Sequence, residues 1–254
     1  MTKDDTYHLL YWPGFPGRGE LIRLVLEAGG ADYTDSALLP DGVNEVMALV
    51  QGKAPDDGRN PPVLAPPALR HGDLLISQTP NILLYLGARL GLVPRTAEDD
   101  GAVYRVNALA LTALDGLCNE VHDCHHPMAV GLYYEDQKVE AARRSEDFVK
   151  NRLPKFLGYF ERVLGSKSAG EGGWLYGGQM SHADLVLFQC LDGTKYAFPK
   201  AMTKLEKEGA YSKVFALHQA VKEVPKIKAY LASDRRQKYG KGLYRYYEEL
   251  DFEA

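Results

Sequence analysis

The chain has 254 residues, enough for one large domain or two of ordinary size, and its 45% hydrophobic and 25% charged content is that of a folded globular protein. Net charge is −4, with 30 basic and 34 acidic residues interspersed, so no basic stripe points to nucleic acid, and no apolar run approaches the ~20 residues that span a bilayer. The opening MTKDDTYHLL lacks the apolar segment of a secretory leader, and Cys118, Cys124 and Cys190 form neither a disulfide framework nor a C-x-x-C motif, so a reducing, cytoplasmic setting is expected.

The first elements alternate strand and helix. Tyr7–Tyr11 reads as a strand that ends in Tyr11-Trp12, crosses the Pro13-Gly14-Phe15-Pro16 turn and enters a helix through Gly17-Arg18-Gly19. Leu21, Ile22, Val25 and Leu26 then recur at helical spacing until Gly29-Gly30 stops the run. A weaker extended stretch, Tyr33–Leu39, and a short helix, Val43–Val50, follow. The Gly-, Pro- and Asp-rich stretch 52–62 is a surface loop. Pro62–Leu69 and Leu74–Ser77 read as strands hinged at His71-Gly72-Asp73, and Pro80–Leu90 as an apolar helix. This order gives a small sheet with helices packed on it.

A polar, proline-broken stretch at 93–100 is a natural linker. Beyond it only helical periodicity is evident, over Ala102–His126, Gln137–Leu164, His182–Ala197, Val214–Lys222 and Pro225–Ala232, with a flexible turn at Gly165–Gly173. The expected architecture is an α/β domain at 1–92, a linker at 93–100, and an all-helical domain with a C-terminal tail at 101–254.

Several constellations carry potential chemistry. Tyr11 places a phenol at a strand end facing a helix start, where it can donate to an anion, and Arg18 can pair with a nearby carboxylate. Either residue alone is equally consistent with ordinary packing. Pro66-Pro67 lies between the strand runs, where an X-Pro bond is a plausible cis site. Gln78-Thr79 opens a helix whose free N–H groups and dipole favour a carboxylate. Ser181 with Asp184 is a short capping box and reads as structural. His122 and His126 stand one helical turn apart, but no third ligand accompanies them, which argues against a metal and leaves pocket lining or a surface helix end. The tail, with Tyr239, Tyr244, Tyr246 and Tyr247, either packs on the body or drapes over a ligand cleft.

Together these residues, in this order, closely resemble the cytosolic glutathione transferases of the tyrosine type, over nearly the whole chain. Tyr11-Trp12 matches the family's sulfur-activating tyrosine and Gly17-Arg18 with Ile22-Arg23 its helix start. Pro67 precedes Gln78-Thr79 by the family's eleven positions, and Trp174 through Asp184 matches its folding motif. The turn after Tyr11 is longer than the family's usual turn by a residue, and Pro66 has no N–H to offer a ligand.

The resemblance implies a thioredoxin-like N-terminal domain, an all-α C-terminal domain, and glutathione as co-substrate. It implies a catalytic Tyr11, and glutathione held by Arg18, Pro66, Pro67, Gln78, Thr79 and an acid near Asp115 supplied by a homodimer partner. Either Pro66 or Pro67 is the cis residue. Lys53, Arg59 and Asn60 are candidates for the glycyl carboxylate. An apolar electrophile would lie between the domains against Trp12, Phe15, His122, His126 and Tyr244. The implied reaction is conjugation of small electrophiles, a detoxifying transfer; alternatives are glutathione-dependent isomerisation or peroxide reduction, or a non-catalytic ligand-binding relative. No metal, nucleic acid or membrane is implied.

Overall fold

Strand β1, Tyr7–Leu10, is the hub of a four-stranded sheet with the order β2-β1-β3-β4. In the computed structural model, which describes residues 6–53, 57–94 and 100–254, β1 runs parallel to β2 (Tyr33–Asp35) through the crossover helix α1 (Gly19–Gly29). On its other side β1 pairs antiparallel with β3 (Ala68–His71), which pairs antiparallel with β4 (Leu74–Ser77). Helices α2 (Gly42–Val50) and α3 (Thr79–Arg89) complete this α/β layer. The leading five residues and most of the 93–100 linker lie outside the described residues.

Two strands are shorter than the sequence suggests. The expected extension to Leu39 stops at Asp35 because that carboxylate accepts the N–H of Ala37 and turns the chain into a 3-10 turn, Ser36–Leu38. The strand expected from Pro62 begins only at Ala68, since Pro66 and Pro67 have no N–H to give a ladder.

By its contacts the chain divides into two compact units. The first runs through Leu92 and adds Glu223–Lys238; the second comprises Val93–Lys222 and Tyr239–Ala254. A segment near the C-terminus, including helix α11 (Pro225–Leu231), therefore packs on α1 in the α/β unit. Its anchor is Tyr230, fully buried, whose hydroxyl donates to Glu20 Oε1 at 2.9 Å.

The second unit is helical. The single run expected at Ala102–His126 is α4 (Ala102–Ala113), a π-wound turn at Leu114–Asn119, and α5 (Glu120–His125), contiguous along the chain. The π turn carries Gly116, where an added Cβ would stand 2.4 Å from the Phe156 ring. A second π turn, Phe148–Arg152, joins α6 (Lys138–Asp147) to α7 (Leu153–Leu164). Helix α8 (His182–Ala197) is buried on nearly every face, and Ser181 and Asp184 form its capping box. Helix α9 (Pro199–Glu208) has no counterpart among the expected elements. It is polar overall and buries only Ala201, Met202 and Leu205, but Pro199 at its start and left-handed Gly209 at its end are its sequence signals. Helix α10 (Ser212–Glu223) precedes α11.

Candidate active site

The sheet register brings three of the predicted residues into one row. Leu10 pairs with Ala68, and Ala68 with Ser77, so the next position outward on each strand is Tyr11, Pro67 and Gln78. All three lie at the same end of the sheet, within the α/β unit. On the β2 side, Ser36 fixes the Tyr11 backbone from both directions. Its hydroxyl accepts the Tyr11 N–H at 2.9 Å and donates to the Tyr11 carbonyl at 2.8 Å.

The Tyr11 side chain is 6% exposed and is gripped by the turn that follows it. Its hydroxyl oxygen accepts the backbone N–H of Arg18 at 2.9 Å. Phe15 lies edge-on to its ring, with centroids 6.0 Å apart. The glycines flanking Arg18 make room for it: a Cβ on Gly17 would sit 2.2 Å from the Tyr11 oxygen, and one on Gly19 2.6 Å from its ring. The G-R-G sequence is thus a seat for the phenol. A phenolic oxygen that accepts an amide N–H retains its own O–H as the group it can donate, which is the arrangement an anion needs.

Behind this seat lies a buried charge chain. Arg23 donates from Nε to Asp35 Oδ2 at 2.5 Å, from Nη1 to the Pro16 carbonyl at 3.2 Å, and reaches Glu20 Oε2 at 3.3 Å. Burial opposes the charge on Arg23, but the bond to Asp35 and the attraction of Asp35 and Glu20 outweigh it and hold its pKa above the ordinary value. The sequence placed Arg23 in a motif without giving it a partner; Asp35, Glu20 and Tyr230 were not foreseen.

The Pro66–Pro67 bond is cis, so Pro67 is the cis residue and the alternative at Pro66 falls away. Gln78 has φ 71°, and among the described residues it alone is a non-glycine with positive φ. Such a conformation costs on the order of 1–3 kcal/mol and persists where the surroundings impose it, often at a ligand site. Gln78 is exposed, while Thr79 behind it is buried at the N-terminus of α3, with Pro80 in the first turn.

Other expected residues fall elsewhere. Trp12 packs, half-buried, against the cluster of Leu10, Val46, Leu49, Val63 and Ala68. Asn60 is committed to the hairpin: its amide donates to Asp57 and to the Asp73 carbonyl, and its oxygen accepts the Leu75 N–H. Arg59 faces Asp73 at 3.8 Å, and Lys53 is exposed past the end of α2.

In the helical unit Asp115 is exposed on the π turn. His122 and His126 are half-buried and lie edge-on to His125, the three ring centroids lying 4.8–5.2 Å apart. Among the described residues no group of three or more His, Cys, Asp or Glu side chains could hold a metal. His125 donates from Nε2 to the Leu243 carbonyl at 3.0 Å, and burial pushes its pKa down to about 3.

Tyr244 corrects the expectation of a pocket-lining tail residue. It is 2% exposed, against Gly193, where a Cβ would come 2.4 Å from its ring, and is a core side chain of the helical unit. The three cysteines are buried thiols, not joined in disulfides.

The chain resembles known proteins over most of its length. Residues 122–234 match the family model described as the glutathione S-transferase C-terminal domain. The chain is 30% identical to glutathione S-transferase P 1 of Xenopus laevis over 91% of its own length and 94% of the relative's. It is 28% identical to a glutathione S-transferase of Dirofilaria immitis, covering 92% and 95% respectively. Among solved structures, a glutathione S-transferase of Caenorhabditis elegans superposes with a TM-score of 0.63 at 24% identity, over 92% of this chain and 99% of that one.

Proposed function

The chain belongs to the glutathione S-transferase family, and from that premise we propose that it transfers the thiolate of glutathione to small apolar electrophiles, with Tyr11 as the activating residue. The fold is the family's, a thioredoxin-like α/β unit and a helical unit, and glutathione is the co-substrate.

The observation that carries the reading is the row Tyr11, Pro67, Gln78 at one end of the sheet. It supports a site in which an extended tripeptide lies along the strand ends. The Pro66 carbonyl can accept from the peptide's backbone. Gln78 and the start of α3, with Thr79, offer N–H groups and the helix dipole to the γ-glutamyl carboxylate. Arg18 supports the other end of the peptide or the cleft wall.

A thiol is a weak nucleophile and its thiolate a strong one. The Tyr11 O–H, held by the Arg18 N–H, donates to the sulfur. The thiol proton passes to solvent, the sulfur attacks the electrophilic carbon, and the leaving group departs with its electron pair. One charge-assisted hydrogen bond contributes about 1.5–3 kcal/mol, which lowers the thiol pKa by ~1–2 units. That populates the thiolate near neutral pH, and holding both reactants together supplies proximity.

A homodimer belongs to the same proposal. Leu64, three residues before Pro67, is 88% exposed and Tyr104 on α4 is 72% exposed, apolar surface that a second copy would cover. Asp115, exposed on its π turn, is the acid proposed to reach a second copy's glutathione. No described helix is long and apolar enough to cross a membrane; the cytoplasmic, detoxifying setting is part of the proposal.

The test is retention on immobilised glutathione together with turnover of a chloronitrobenzene, a peroxide and an isomerisable ketone. Conjugation of the chloronitrobenzene is the expected result. Turnover confined to the other substrates would reassign the reaction, and retention without any turnover would make the chain a carrier.

A further inference from the structure

Resting on the reading that Tyr11 activates glutathione, we propose that Arg236 and Gln237, in the segment after α11, are positioning residues for the Tyr11 hydroxyl.

The turn between Tyr11 and α1 has little to hold it from outside. Gly14, at its tip, has φ 86° and nothing within 4 Å of where a Cβ would stand. Its N–H donates to Gln237 Oε1 at 3.0 Å, from a residue 223 positions away. The far end of the same turn is held by Arg23, through the Pro16 carbonyl. Gln237 and Arg23 therefore pin the tip and the far end of the loop that carries Phe15 against the Tyr11 ring.

Arg236 acts through Glu20, in the first turn of α1. Its guanidinium pairs with Glu20 Oε1 at 2.5 Å, where the Tyr230 hydroxyl also donates. Glu20 is fully buried and stands two residues after Arg18, whose N–H the Tyr11 oxygen accepts. Asp35, Arg23, Glu20 and Arg236 form an alternating chain of charges, so Arg236 completes the neutralisation of a carboxylate that Arg23 shares with Asp35. A lone buried carboxylate would draw Arg23 away from Pro16 and shift the first turn of α1. Through these two contacts the distal segment sets where the Arg18 N–H and the Tyr11 hydroxyl meet, a geometry that active sites hold within ~0.5 Å.

The experiment uses the full-length protein with glutathione and four variants: Gln237→Ala, Gln237→Glu, Arg236→Gln and Arg236→Lys. Four quantities are read: the pH dependence of thiolate ultraviolet absorbance in the glutathione complex, kcat and KM for chloronitrobenzene conjugation, and Tm. Gln237→Ala is expected to lower the thiolate fraction at neutral pH and kcat about threefold or more, with KM for glutathione within about twofold. Its Tm should stay close to wild type because Gln237 contributes one exposed hydrogen bond. Gln237→Glu keeps an oxygen acceptor for Gly14 and should restore the wild-type profile. Arg236→Lys should do the same relative to Arg236→Gln.

Unchanged thiol ionisation and kcat in Gln237→Ala would overturn the role of Gln237. A change in Tm alone for Arg236→Gln, with the pH profile intact, would overturn that of Arg236. If the wild-type protein itself shows no depressed thiol pKa, it is the Tyr11 reading that fails, a result distinct from either of these.

Discussion

The hydroxyl of Tyr11 accepts the backbone N–H of Arg18 at 2.9 Å, closing the turn between β1 and α1 around the phenol. The contact exists because Gly17 and Gly19 leave no Cβ where the tyrosine lies. The position of the phenol is set by two absent side chains as much as by the one present.

Gly19→Ala follows directly. Gly19 lies at the start of α1 without a left-handed φ, so the cost of a methyl comes from its contact with the Tyr11 ring, 2.6 Å away. The ring must move, and a displacement of ~1 Å lowers kcat by up to about a hundredfold. Since Ala favours a helix, Tm should fall much less than activity. Equal losses in both, measured by steady-state kinetics and thermal melts, would contradict the seat assigned to Gly19.

Arg23→Met leaves the buried Asp35 without its ion-pair partner and the buried Glu20 with Arg236 alone. Breaking a buried ion network by removing one partner costs about 3–5 kcal/mol. Denaturant unfolding should show this loss. A variant as stable as wild type would mean that water already reaches the two carboxylates.

Asp184→Ala tests the helix start that was legible in the sequence. Its carboxylate accepts the Leu175 and Ser181 N–H groups at 2.8 Å and the Ser181 hydroxyl at 2.7 Å. Losing the cap and stranding buried donors costs about 2–4 kcal/mol. The loss should appear in the unfolding of the helical unit; a shift below half of that would make the box dispensable.

His125 gives the pH signature. Burial holds its pKa near 3, below the ordinary 6.5, so the folded protein keeps it neutral while the unfolded chain binds a proton. Its stabilising contribution is complete above pH ~6.5 and is lost as pH falls toward 3, on the order of 5 kcal/mol across that interval. His125→Gln, which can still donate to the Leu243 carbonyl, should flatten that slope. An unchanged slope would assign the acid sensitivity to other groups.

Much of this site was legible because its parts are local. Tyr11, Gly17-Arg18-Gly19, Pro66-Pro67 and Gln78-Thr79 each declare themselves within a few residues, and strand register then aligns them. What escaped the sequence is non-local or degenerate. Nothing near Tyr230 names Glu20, which lies 210 positions away, so the return of 223–238 to the α/β unit could not be read. Two adjacent prolines look alike, which left the cis bond undecided until Pro67 resolved it. The tail offers several tyrosines with no periodicity to show that Tyr244 faces the core. Helix α9 hid because it buries only three apolar residues. The π turns sit inside helical periodicity that is otherwise unbroken.

The most direct measurement is the pKa of glutathione's thiol when bound to wild type and to Tyr11→Phe, followed by thiolate absorbance against pH. The account expects the wild-type value to lie well below that of free glutathione and the variant's to rise by ~1–2 units, with conjugation at neutral pH about tenfold to a hundredfold slower. Identical values in the two proteins would show that some other group carries the sulfur's charge.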